Sequence, residues 1–365
     1  MLRCFASSRK FMVLLGLLGA GIWPTSGVAM PPAEPYGEGE TNDPLGKSLT
    51  ERRMEERFSA QSDSSRDWYL LPREPQRPRN LWVSPAVSFF VPGFDQWWEG
   101  QYEAAALYSG SYILSAALQN HAESLFVNAN TTKEMRFKLD EGLATHDNQL
   151  RNIYLFSQMK SLVGGVSLYH SFRSAVRTRP DDFYFLGPEE QLGDLFAAPF
   201  DLTYFQRPTT WIPLSVIAAM TVAQIRTTSR EEAEAEGFRP VKLGGDDLAF
   251  GAAFSYNAGT YEEMIFRGWL LPTVQYETSN PVLGNVISSV GFALAHRGTV
   301  DVPITQLVLG YYLGWVSIQN NYSLKESIFI HTWWDVIAFA QNYHFEKIGS
   351  PSKMAYWLPG LQFVF

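Results

Sequence analysis

The sequence predicts an all-α fold: a multi-pass helical membrane bundle carrying a disordered N-terminal leader. Three observations predict it. Aromatic residues make up 15% of the chain and include 11 Trp, as expected where many side chains sit at a membrane interface. Apolar segments of helical length recur from residue 81 onward, separated by Pro, Gly and charged stretches. Ionisable residues are embedded in the last of these segments, and only helices satisfy their backbone groups in lipid without closing a barrel. Mean hydropathy is low for such a protein, at -0.12, because a polar N-terminal third dilutes an apolar remainder.

The elements follow in order. Residues 1–29 read as a signal peptide: basic Arg3, Arg9 and Lys10, an apolar run from Phe11 to Trp23, then Gly27-Val28-Ala29 as a small-x-small cleavage site. The apolar run is short for a spanning helix, and cleavage leaves the mature N-terminus extracytoplasmic. Cys4, the single cysteine, lies inside this segment, so the mature chain is expected to hold no thiol. Residues 30–80 are rich in Pro, Gly, Ser, Glu and Arg and read as a disordered or extended leader.

Residues 81–225 read as an N-terminal membrane-associated helical region. Leu81 to Gly93 is expected as a short apolar hairpin arm and Gln101 to Leu118 as a helix. Asn152 to Phe172 is a moderately apolar helix whose Gly164-Gly165 allows a neighbour to approach closely. Arg173 to Gln206 reads as a loop-rich connector and Trp211 to Ile225 as a further helix. Residues 226–247 form a charged linker, with Glu231 to Glu236 a solvated face. Four helices then follow, at Leu248 to Pro272, Val282 to His296, Ile304 to Ile318 and Ser327 to Gln341, before a tail at 344–365. Each is slightly short of a full crossing, which suits members that tilt or stop partway.

The net charge of -8 argues against nucleic acid as a partner, since a basic surface supplies most non-specific affinity for it. The expected partners are the lipid bilayer and a membrane-associated protein or peptide. Basic residues are spread over several loops, Arg77 and Arg79 included, so they assign no orientation.

Chemistry concentrates in Tyr261-Glu262-Glu263-Met264-Ile265-Phe266-Arg267-Gly268-Trp269. On a helix Glu263 and Arg267 stand at i and i+4 and can pair. Glu262 is rotated about a hundred degrees away and has no local partner. A carboxylate left so among apolar residues either protonates or finds partners elsewhere in the chain. Candidates are His296, closing Gly291-Phe292-Ala293-Leu294-Ala295-His296, and His331 with Asp335 in His331-Thr332-Trp333-Trp334-Asp335.

The run EExxxR, then FxxxH from Phe292 to His296, then HxxxD from His331 to Asp335, in that order on separate hydrophobic segments, resembles the CPBP family of intramembrane proteases. That family includes the CAAX prenyl endopeptidases and many bacterial relatives, some linked to bacteriocin immunity. The resemblance covers roughly Leu248 to Tyr343 and marks residues 248–343 as a CPBP-like domain. It implies an intramembrane endopeptidase in which Glu262 activates a water, His296 holds and polarises it, and His331 and Asp335 occupy the oxyanion-stabilising positions.

The last of these is often Asn in the family. An ionised Asp335 would repel an oxyanion, so it is expected to orient His331 instead, with protonation and metal ligation as the other possibilities. Glu263 and Arg267 are expected to form a supporting clasp. No cofactor is expected. The alternative is zinc, held by Glu262, His296, His331 and Asp335 with water in an open position; HExxH is absent.

Two other classes compete. One is a catalytically inactive scaffold or immunity-type partner. The other is an export-accessory protein using the buried charges as a proton path. The bacterial-type signal segment assigns the protein to the bacterial inner membrane. His121, His146, His170 and His344 are read as packed, hydrogen-bonded side chains, Trp269, Trp333 and Trp334 as interface or packing aromatics, and Gly268 and Gly314 as points of close helix contact.

Overall fold

The structure, a computed structural model, describes residues 79–129, 148–227, 238–240, 243–296 and 303–347. The signal segment, almost all of the leader, most of the charged linker and nearly the whole tail lie outside them.

Asn80 opens the first helix. Its side-chain oxygen accepts from the backbone N–H groups of Trp82 and Val83 at 2.8 and 2.7 Å, satisfying donors that a helix N-terminus leaves over. α1 (Val83–Phe90) therefore stands where the sequence reads as a hairpin arm. Pro85 falls in the first turn, where its missing N–H costs nothing, and the break comes later. There Gly93, with φ of 90°, turns the chain into α2 (Phe94–Trp98).

Two long helices follow, α3 (Tyr102–Ala129) and α4 (Asn148–Arg177), and they pack along one another. α3 runs on past the expected Leu118, and α4 passes both of its expected ends. The connector holds a short α5 (Leu192–Ala197) and two 3-10 turns at Ala198–Phe200 and Leu202–Gln206. α6 is Pro208–Thr227.

The C-terminal part supplies α7 (Gly245–Ile265), a π-helical turn at Phe266–Leu270, α8 (Leu271–Thr278), α9 (Pro281–Ala295), α10 (Ile304–Gln319) and α11 (Lys325–His344). The departure from all-α among the described residues is a three-residue antiparallel pairing. In it β1 (Phe238–Pro240) lies against β2 (Phe345–Lys347), with Arg239 opposite Glu346.

α7 lies between α4 and α11, and glycines set both spacings. A Cβ on Gly165 of α4 would come within 2.8 Å of the Tyr261 Cβ. One on Gly259 of α7 would come within 2.8 Å of the Thr332 backbone nitrogen of α11. Side chains there would force the helices apart, because packed interiors give way only at a cost of about 1–3 kcal/mol. Gly164, Gly268 and Gly314 are close contacts of the same kind, as the sequence leads one to expect.

Buried polar bonds fix the same pairs. Arg151 of α4 bonds Asp247 of α7, and Asp247 also accepts from the Gly244 backbone N–H at 2.7 Å, capping α7. Asp95 of α2 accepts from Ser171 of α4 at 2.7 Å and from Arg79 at 3.0 Å.

The polarity of α9 is reversed relative to a water-facing helix. Asn285, Ser288 and Ser289 are buried. Val282, Leu283, Val286, Ile287, Val290 and Leu294 form its outer face, with Val282 59% and Leu294 57% exposed. α3 behaves alike, burying Ser115 and Gln119 while exposing Leu107, Ile113 and Leu114. Among the described residues no helix is long and apolar enough to cross a membrane. The inward polar residues lower each helix's apolar average, and the 15 residues of α9 span only about 22 Å.

Candidate active site

Glu262, Glu263, Arg267, His296, His331 and Asp335 come together at the meeting of α7, the π turn, the end of α9 and α11. All six are buried, Glu262 completely.

Each element delivers its side chain for a local reason. The π turn begins at Phe266, three residues after Glu263, and widens the helix by one residue, a deformation frequent at functional sites. The carbonyls it disturbs are met by hydroxyls: Ser288 of α9 donates to the Phe266 carbonyl and Thr273 to that of Trp269, both at 2.7 Å. α9 stops at His296, whose backbone N–H still bonds Ala293. The His296 Nδ1–H donates to the Phe292 carbonyl at 2.7 Å, which turns Nε2 of the neutral ring inward.

Glu262 and Glu263 face different company. Glu263 Oε1 accepts from Arg267 at 2.7 Å and from His331 Nδ1 at 2.8 Å. Arg267 also donates to the Gly310 carbonyl at 2.8 Å, and its guanidinium lies 4.6 Å from the centre of the Phe292 ring. The expected i,i+4 clasp is thus present and gains a third member. His331 is held at Nδ1 by Glu263, so Nε2 is the nitrogen that points away from the clasp.

Asp335 does not hold the ring as the sequence leads one to expect. Its Oδ2 lies 3.6 Å from His331 Nε2, beyond hydrogen-bond length. Contacts across elements are not readable from i,i+4 spacing, and Gly259 lets Glu263 reach the histidine first.

Glu262 Oε1 accepts from the Tyr261 hydroxyl at 3.0 Å. Oε2 has no hydrogen-bond partner among the described residues. It lies 3.7 Å from His296 Nε2 and 3.8 Å from His331 Nε2. Asp335 Oδ2 is likewise without a hydrogen-bond partner among the described residues. Two carboxyl oxygens and two imidazole nitrogens therefore converge just outside direct bonding distance. At such spacing one small polar molecule can bond several of them at once. Among the described residues no group of three or more His, Cys, Asp or Glu is disposed to hold a metal ion.

Sequence reading missed the Glu263–His331 bond, the Tyr261–Glu262 bond and the part of Gln158, which bonds Tyr261 from α4. A lone amide in the apolar stretch of α4 was the available signal for the last. Of the other histidines, His170 is hydrogen-bonded as expected, 2.9 Å from the Tyr108 hydroxyl. His121 is exposed on α3, a correction that follows from α3 running past Leu118. His146 lies outside the described residues. Trp269 packs edge-on to Trp82 and donates to the Leu81 carbonyl, and Trp333 donates to that of Pro199.

A helical bundle in which buried Glu, His, His and Asp converge on one point offers a base and polar partners around a small molecule. Residues 245–337 match the family model described as Rce1-like, type II CAAX prenyl endopeptidase Rce1-like, in agreement with the CPBP resemblance of the C-terminal part. The family is one of membrane proteases, and the match supports a protease and a membrane protein. No curated protein and no solved structure matches the chain.

Proposed function

We propose that the protein is an intramembrane endopeptidase that hydrolyses peptide bonds of membrane-associated proteins or peptides with a water activated by Glu262. The observation that carries this reading is the open Glu262 Oε2 facing both histidine Nε2 atoms, inside the segment matched by a protease family. The family description names prenyl endopeptidases; the substrate class proposed for this chain is the broader one.

In this reading Glu262 takes a proton from water while His296 Nε2 orients it, and the water oxygen bonds to the peptide carbonyl carbon. The carbonyl oxygen gains the negative charge and is met by the Nε2–H of His331 in its imidazolium form, paired with Glu263 at Nδ1, and by Asp335 in its neutral form. Collapse breaks the C–N bond, and the proton taken by Glu262 passes to the departing amine. Glu263 and Arg267 support the reaction by fixing His331. Asp335 is assigned the neutral, donating role because Glu263 already orients the ring.

Lipid contact is supported by the reversed polarity of α9 and α3, whose apolar residues face outward while amides and hydroxyls face inward. The signal segment at 1–29 favours the bacterial inner membrane with the mature N-terminus extracytoplasmic.

The test compares the membrane proteome of cells carrying the wild-type chain with that of cells carrying Glu262→Gln. Peptide termini present only with the wild type are expected. Identical termini together with an unchanged cellular phenotype would replace the protease by the inactive scaffold. Cleavage that chelation abolishes and zinc restores would replace the metal-free reaction by the zinc alternative.

A further inference from the structure

We propose that Tyr261 is a positioning residue for Glu262, and that Gln158, contributed by α4 from outside the matched segment, holds Tyr261 in turn. The inference rests on the protease reading above and extends it beyond residues 245–337.

Tyr261 is completely buried and its hydroxyl lies 3.0 Å from Glu262 Oε1. A phenol has one proton to give, so donation to the carboxylate leaves its oxygen as an acceptor. The buried Gln158 bonds that hydroxyl, and its amide N–H is the donor that suits it. Polarity thus runs in one direction, from Gln158 through Tyr261 to Glu262, and each bond strengthens the next. Gly165, two turns beyond Gln158 on the same face of α4, brings that helix against the Tyr261 backbone.

The consequence for Glu262 is division of labour between its oxygens. Oε1 is occupied by the phenol, which fixes the carboxylate plane and leaves Oε2 toward the histidines. Tyr261 belongs to the core cluster with Phe254, Phe266 and Phe292, so its ring alone could be mere packing. Tyr261→Phe keeps the ring and removes only the donor.

The test is infrared spectroscopy of the full chain in lipid bilayer discs at one fixed pH, reading the frequency of the buried carboxyl band. The Glu262 band is the one lost in Glu262→Gln. Tyr261→Phe should shift that band, the signature of a carboxyl group that has lost a hydrogen-bond donor. Gln158→Leu should shift it by less. The double variant should match Tyr261→Phe alone, because Gln158 acts only through the phenol.

A band unmoved in both single variants would overturn the inference, as would additive shifts. Gln158→Leu carries the test by itself if Tyr261→Phe does not fold. Shifted bands in a chain whose wild type cleaves nothing would sink the protease reading and leave the relay standing. Cleavage with unmoved bands would do the reverse.

Discussion

Two buried glutamates, Glu262 within α7 and Glu326 at the start of α11, keep opposite company. Glu326 is 2% exposed and accepts from Arg207 at 2.6 Å, Asn320 at 2.8 Å and Thr210 at 2.9 Å, and also from Thr209. These bonds tie the start of α6 to α11, and every oxygen is met. Glu262 is more deeply buried yet is met on one oxygen. A satisfied buried carboxylate stabilises a fold. One left half met costs stability that the surrounding packing must offset, and natural chains keep such a group where its chemistry is used.

The contrast can be broken most forcefully at Glu262. Glu262→Gln keeps the shape and the contact with Tyr261, so folding should be unchanged while the rate of cleavage falls about a thousandfold, roughly 4 kcal/mol in the barrier. Quantifying the new termini in membranes against the melting midpoint in detergent checks both halves. A Gln variant that melts early and cleaves normally would reverse the assignment.

Arg267→Ala comes next. It leaves Glu263 buried beside His331 without its cation and should lower stability by about 3–4 kcal/mol, measured by denaturant unfolding in detergent. Glu326→Ala orphans two threonines and an asparagine and should cost about 2–3 kcal/mol. Cleavage per folded molecule should persist, because Glu326 does not touch the converging atoms. Loss of cleavage without loss of stability would erase the distinction between the two glutamates.

The smallest effect is expected at Asp335. Asp335→Asn offers an amide donor where the neutral carboxyl stands, and the His331 ring stays held by Glu263. Cleavage should change less than about tenfold, under roughly 1.4 kcal/mol, and should become less sensitive to raised pH. A thousandfold loss would mean that the carboxylate itself takes part.

Much of the C-terminal half is legible in the chain. The expected helices at 282–296, 304–318 and 327–341 correspond to α9, α10 and α11, each within a few residues. Asn280 caps α9 through Val282 and Leu283, and the masses of apolar residues between polar breaks leave little choice. The run from Leu248 to Pro272 is where reading fails. It is one helix, a π turn and the start of another, and a partner of the turn lies on α9, where Ser288 takes up one of its carbonyls. The hairpin arm fails differently: Pro85 and Gly93 look alike as breakers, and only position within the first turn makes Pro85 harmless.

By itself the chain determined which side chains are costly to bury and in what order they come: Glu262 and Glu263, Arg267, His296, His331, Asp335. Composition and short-range spacing suffice for that, because helix periodicity is a local property. Tertiary structure alone decided who meets whom. Glu263 rather than Asp335 holds His331, and Tyr261 with Gln158 holds Glu262, because the glycines at 165 and 259 set how closely α4 and α11 approach α7. Distances between helices depend on packing over the whole interface, and no window of sequence contains them.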